Sequence, residues 1–292
     1  MPEKHEPESR GFWKEGWQRL RVNRAALLAG GSIVFIAVLS LVGPELSGIR
    51  YDSLDWDRLA VSPQWGGPHF LGTDRLGRDL LVRTLYGVRI SLVIGLLASA
   101  VSLCIGIVWG AIAGYSGGRT DELMMRAVDV LYSLPYLFIV IILMTLFERG
   151  SLVVLFVAIG AVGWLTIARI VRGQTLALKR TEFVEAARAF GVGPGAMLWR
   201  HIVPNLSGTI IAYATLAIPQ MILFESFLSF LGLGVQEPLP SLGNLINDGA
   251  REMQSAAWML LVPAGFLVVL LVCFSIVGDA LRDALDPRER AS

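Results

Sequence analysis

Few residues in this 292-residue chain are placed to do covalent chemistry. The three histidines, His5, His69 and His201, lie far apart, so none shares metal-ligand spacing with another. Cys104 and Cys273 each sit alone in an apolar stretch, which suits packing rather than a disulfide framework. No His-Glu-x-x-His or Gly-x-Ser-x-Gly pattern occurs, and no apolar run carries paired acids. A phosphate-cradling loop needs Gly-Lys before Ser or Thr. Of the lysines Lys4, Lys14 and Lys179, none follows a glycine. The chain therefore cannot hold ATP by that motif, and nucleotide energy would have to come from a partner.

The residues with informative spacing do mechanical rather than covalent work. They are Glu185, Ala186 and Ala187, then Gly191, then His201, Pro204 and Asn205, within EFVEAARAFGVGPGAMLWRHIVPN. Thr181 suits an N-cap, with Glu182 and Glu185 in the first turn facing the positive helix end. Phe183, Ala187 and Phe190 follow helical spacing and predict one apolar stripe. Gly191 suits a C-cap with positive φ, and Pro194 the first turn of a second helix through Met197, Leu198 and Ile202 to Pro204. Alanines 186, 187 and 189 leave a shallow face that another protein could approach, or that could fold onto the chain's own body. DNA binding by two such helices is disfavoured, because the module is small, mixed in charge and tethered among apolar runs. Glu225 is the one clear ionisable group inside an apolar run, and an interhelical hydrogen-bonding role suits it better than substrate contact.

These residues are carried by a membrane protein. The chain is 54% hydrophobic and only 17% charged, with net charge +1 and mean hydropathy +0.61; a soluble chain carries nearer a quarter charged residues. Six uncharged runs, Ala25–Pro44, Ile90–Gly118, Val130–Phe147, Gly150–Ala168, Ile202–Phe224 and Met253–Gly278, each approach the length that crosses about 30 Å of hydrocarbon. The third is the shortest, and the fifth is expected to start after Pro204 and pass Glu225. The segments expected inside hold 17 of the 25 Lys and Arg, which places both ends in the cytoplasm. The first run is expected to remain as an uncleaved anchor.

The connections carry the remaining polarity. Residues 45–85 form a long outer segment rich in turn formers and aromatics, leading into the second span with Thr73 or Asp74 as N-cap and Asp74, Arg78 and Asp79 paired locally. Gly117–Gly118 makes a turn, after which Thr120 or Asp121 would cap a helix with apolar face Leu123, Met124, Ala127 and Leu131. Pro135 is expected to kink that helix as it enters the bilayer. Glycines and prolines between the fifth and sixth spans predict a folded outer loop.

The spacing Glu-Ala-Ala, Gly, His-x-x-Pro-Asn resembles the EAA loop of ABC importer permeases. HFLGTDRLGRD, RIVRGQTLALKRTEF, ILFESFLSFLGLG and GDALRDALDPR resemble the peptide-importer branch, above all the C-type inner-membrane subunit of oligopeptide permeases. Leu242 departs from that pattern, which has tryptophan in "PxPSWG" where this chain reads PLPSLG. The resemblance implies an all-α membrane protein with a type I ABC importer (MetI-like) fold of six transmembrane helices. It implies a permease body over 25–280, an external loop over 45–85, a coupling loop over 173–205, and cytoplasmic tails at 1–24 and 281–292. Glu185, Ala186, Ala187, Gly191, His201, Pro204 and Asn205 would then dock in a groove on an ATP-hydrolysing subunit and pass its closure to the membrane helices.

The implied partners are a second homologous permease subunit, two ATP-binding subunits, an extracytoplasmic peptide-binding protein and the lipid bilayer of a bacterial inner membrane, with no nucleic acid. This subunit would be non-catalytic and hold no cofactor or metal, ATP being bound by partners. Oligopeptides are the first expected cargo, and dipeptides, nickel complexes or sugars the alternatives within the same family. A self-sufficient secondary transporter is the competing class; it ordinarily shows mid-membrane ionisable groups and internal repeats, which this chain lacks apart from Glu225.

Overall fold

Helix boundaries follow from identifiable caps in the computed structural model, which describes residues 18–64, 66–147 and 151–285. Helix α1 (Arg24–Ser47) starts where Asn23 accepts the Ala26 N–H at 3.1 Å and ends at Gly48 with φ 67°. Helix α2 (Leu80–Ser116) is capped by Asp79, which accepts from Val82 N–H at 2.8 Å, not by Thr73 or Asp74. Those two are engaged elsewhere. The Thr73 hydroxyl accepts from Val61 and donates to the Arg58 carbonyl, while Asp74 closes its own turn and pairs with Arg78.

Helix α3 (Gly118–Ser133) likewise starts without Thr120 or Asp121 as cap. Gly117, at φ 66°, holds the N-cap position with no side-chain bond, and Asp121 turns to Arg172. On the apolar face, Leu123 and Leu131 are exposed, and Asp121 and Val128 are the buried positions of the helix. At Leu134–Pro135 the chain bends by 82° into α4 (Tyr136–Leu146). Leu134 is extended, as a residue before proline must be, so the expected kink is present. Eleven residues reach only about 16 Å as helix, half the hydrocarbon thickness, so the third crossing needs the bent pair.

The remaining long helices are α5 (Leu152–Leu178), α9 (Ser207–Phe230) and α11 (Trp258–Leu285). Among the described residues, five helices (α1, α2, α5, α9, α11) are individually long and apolar enough to span a membrane, and α3 with α4 makes the sixth. The fifth starts after Pro204 and runs past Glu225, as expected. The loop before α11 contains a ten-residue helix, α10 (Leu242–Arg251), closed by a reciprocal Ser241–Asn244 capping box. The tails before 18 and after 285, including the Asp286–Arg288 end of the family-like stretch, and the expected Gly150 start of the fourth span lie outside the described residues.

The body is organised by the α2–α5 contact. Gly106, Gly110 and Gly114 repeat every fourth residue along one face of α2 and meet Ile167, Ala168, Val171 and Arg172 at backbone distance. Small residues let the two backbones approach where a lipid-like interior provides no hydrophobic drive of its own. Leu28, Val34 and Phe35 on α1 and Leu261 and Val268 on α11 are exposed, as suits surfaces that face acyl chains.

Candidate functional site

Two short pieces fold onto the end of α5 as one module. Helix α6 (Glu182–Ala189) follows Thr181, whose backbone carbonyl accepts from Val184 and Glu185. The Thr181 hydroxyl does not cap; it donates back to the Leu178 carbonyl at 2.6 Å. Gly191 takes φ 80°, and the bonds Gly191 N–H to Arg188 and Val192 N–H to Ala187 close a Schellman turn. Pro194 opens α7 (Pro194–Ala196), which continues through a π-helical turn at Met197–Ile202 into α8 (Val203–Asn205). Such widened turns concentrate at functional sites. Asn205 donates its side-chain amide to the His201 carbonyl at 2.6 Å, tying the last motif residues together.

The buried side of the module is not centred on Phe183 and Phe190. Phe190 is 90% exposed and Phe183 is also exposed, whereas Val184 is fully buried among Met197, Ile202, Ile167 and Ala111. Sequence spacing shows that α6 has an apolar face, but the helix has two. The one centred on Val184, with half-buried Ala187 beside it, meets the body. The other points away, with Glu185 and Ala186 exposed along it. Glu185 has no ion-pair partner among the described residues. Thus the structure brings Glu185, Ala186, Ala187, Gly191, His201, Pro204 and Asn205 into a single surface unit anchored through its back.

Ion pairs tie the neighbouring α3 to α5. Arg172 grips Asp121 with two bonds of 2.5 and 2.7 Å, and Arg169 reaches Asp129 at 2.8 Å while stacking over Tyr132. Lys179 donates to the Tyr115 carbonyl. Asp121 is largely buried, so Asp121→Asn should lower stability by about 1–2 kcal/mol, as expected for a charge-assisted bidentate pair. Glu122→Gln, which breaks the exposed Arg126 pair on the same helix, should change it by less than about 0.5 kcal/mol. Thermal melting of the purified protein checks the contrast; equal effects would contradict it.

Beyond this end lies a cavity of about 430 Å³ between the bent pair, α5 and α9. Its lining is apolar and aromatic, with Tyr132, Tyr136, Thr166, Tyr213 and Gln220 as the polar groups and no charged side chain. Sequence reasoning missed these residues because helix rotation, not composition, selects them. Glu225 lies on α9 but outside this lining. It is fully buried and accepts from Ser91 of α2 at 2.6 Å and from Ser229 at 2.7 Å, the interhelical role expected of it.

At the end of the bundle opposite the module, Asp74, Arg78, Arg83 and Glu237 form a charged cluster. Burial, reinforced by the Glu237 charge, pushes the neighbouring Asp248 carboxyl above the ordinary carboxylate range; Arg75, Arg83 and Arg78 act against this.

Comparison with known proteins assigns this architecture. Residues 106–291 match the family described as binding-protein-dependent transport system inner membrane component. The chain belongs to that family. Residues 11–63 also match the N-terminal TM domain of oligopeptide transport permease C. The oligopeptide transport system permease protein OppC of Escherichia coli (strain K12) is 51% identical over 288 residues, covering 99% of this chain and 95% of that protein. The OppC protein of Haemophilus influenzae is 49% identical, covering 97% of this chain and 91% of that one. Among solved structures, an inward-facing conformation of the MetNI methionine ABC transporter matches with a TM-score of 0.59 at 19% identity, over 71% of this chain and 96% of that one. That likeness shows the fold, an all-helical MetI-like architecture.

Proposed function

We propose that this chain is one of two homologous permease subunits of an ABC importer and forms half of a translocation path for oligopeptides across a bacterial inner membrane. Identity of 51% over nearly the full length with a permease named for oligopeptide transport carries the reading. The body over residues 25–280 supplies the path, and the cavity between the bent pair, α5 and α9 is its wall on this subunit. Uncharged walls with a few hydroxyl and amide groups suit cargo whose side chains vary in charge. The loop over 173–205 faces the cytoplasm, as do the tails at 1–24 and 281–292, and 45–85 lies outside.

The exposed face of α6, with Phe183, Glu185 and Phe190, docks on an ATP-binding subunit, and Gly191 holds the angle between the two halves of the module. This subunit catalyses no reaction and binds no cofactor. Two partner subunits hydrolyse ATP, and an extracytoplasmic binding protein delivers the peptide. Reporter fusions at residue 60 and residue 190 should report opposite sides of the membrane; the same side for both would overturn the orientation.

The assembled complex in liposomes should take up peptides of several residues only with ATP and the binding protein. Preferred uptake of dipeptides, nickel complexes or sugars would reassign the cargo within the family. Uptake by the isolated chain with no ATPase would overturn the importer reading.

A further inference from the structure

Glu225 is sealed from solvent, yet the path proposed above does not use it. Its two oxygens serve two arms. Ser91 donates to one oxygen and itself accepts the Leu242 N–H at 3.4 Å, at the start of α10. Ser229 donates to the other oxygen and itself accepts the Val235 N–H at 3.1 Å. Val235, midway along residues 231–241, and Leu242, just after them, are therefore tied, through one serine each, to a single carboxylate. Gly243 lies against Ser226 and Gly234 against Ser229 so closely that a Cβ at either would overlap the backbone or hydroxyl opposite.

The same segment backs the cavity. Val235 and Leu239 pack in one apolar cluster with Val140, Ile159, Met221 and Leu228, and those four line the cavity. At its rim, Glu237 accepts from Arg78 at 3.3 Å and stands 3.8 Å from Arg83. Arg83 is fully buried; its Nε stands 3.5 Å from Asp74 and its Nη2 3.8 Å from Glu237, and neither nitrogen makes a hydrogen bond, so it attracts both carboxylates without fully engaging either. Glu237 itself is 59% exposed. The inner tie is dry and strong, and the rim tie is wet and weak.

We propose that residues 231–241 are the outer cover of the cavity, hinged on the buried Glu225 carboxylate and latched at the rim by Glu237 to Arg78 and Arg83. Glu225, Ser91 and Ser229 are positioning residues in this arrangement; they hold the cover and do not touch cargo. Which face is outer, and what the cavity carries, rest on the function proposed above; the tie itself does not.

The test uses the assembled complex in nanodiscs, with Cys104→Ser and Cys273→Ser as background. Val235→Cys, buried on the cover, is probed with a charged water-soluble maleimide at rest. Its labelling should be slow. Glu237→Gln should speed it about threefold to fivefold, the range for loss of a partly exposed ion pair. Glu225→Gln, which keeps the shape but turns one acceptor into a donor, should speed it about tenfold or more. If Glu225→Gln fails to assemble, Ser91→Ala carries the same expectation.

Val128→Cys, buried on α3 away from the cover, should label at one rate throughout. Unchanged Val235→Cys labelling in Glu237→Gln and Ser91→Ala would overturn the proposal. So would a parallel rise at Val128→Cys, which would mean general loosening. Peptide uptake by the parent complex, measured alongside, tests the function reading separately: the labelling order can hold while uptake fails, or the reverse.

Discussion

Gly110→Leu should leave almost no monodisperse protein after extraction from the membrane. A Cβ at this position would lie 2.9 Å from Val171 Cβ and 3.0 Å from the Arg172 nitrogen, with the Ala168 carbonyl oxygen closer still. Two of these three obstacles are backbone atoms, which cannot swing aside as a side-chain end can. Helices α2 and α5 would have to separate, and Gly106 and Gly114, one turn away on each side, would lose their contacts as well. Overpacking a close interface costs about 1–3 kcal/mol and sometimes more. Here the whole leucine must enter a gap too narrow for its first carbon, so the upper end or beyond is expected. Gly173→Leu is the control, because it lies on the partner helix α5 with nothing within 4 Å of its would-be Cβ. Size-exclusion profiles and thermal midpoints of the two variants decide the point. A Gly110→Leu protein as abundant and as stable as Gly173→Leu would show that the glycine face does not organise the bundle.

Gly191→Val should abolish most of the substrate-stimulated ATP hydrolysis of the assembled complex while leaving membrane insertion intact. The reason is confined to the backbone. No atom lies within 4 Å of a Cβ built there, so the valine meets no neighbour. What it meets is φ 80°, which costs an L-residue about 1–2 kcal/mol, and a β-branched one more than most. The turn relieves that strain by giving up the bonds to Arg188 and Ala187, which re-aims α6 relative to the π turn. The docking surface proposed for this module depends on that angle. Gly191→Asn, which tolerates the left-handed region, should retain most of the coupling. Glu185→Gln should cost less than Gly191→Val, since Glu185 is exposed and its helix-end term is about 0.3–1 kcal/mol. Normal stimulation and uptake in Gly191→Val would remove the coupling role from the module.

Much of this architecture was legible along the chain because its causes are local. About eighteen apolar residues must cross a bilayer wherever they occur, so each crossing was located, although several helices run about five to twelve residues past or short of the apolar run. Pro135 had to interrupt a helix, and Gly191 had to take positive φ, because those demands concern one residue and its neighbours. The motif Glu185 to Asn205 was visible as a unit for the same reason. The cap of α2 was misplaced to Thr73 or Asp74 because either has the right chemistry, and only the Val61 and Arg58 contacts show that Thr73 is already engaged. Phe183 and Phe190 were read as part of one apolar stripe, and spacing does not say which face of a helix meets the body.

Tertiary structure settled what depends on helix rotation and on distant partners. Asp121 finds Arg172 across 51 residues, and Glu225 finds Ser91 across 134. No local pattern encodes either pairing. In a bundle whose helices are apolar nearly all round, hydrophobicity cannot choose the side that faces inward. Close approach at Gly106, Gly110 and Gly114 sets the rotation of α2 against α5, and with it which residues of the bent pair, α5 and α9 surround the cavity. The sequence by itself determined that this chain crosses a membrane and presents a glycine-hinged module. The fold decided which residues line the cavity and which serines meet the buried Glu225 carboxylate, because those follow from contacts between residues far apart in the chain.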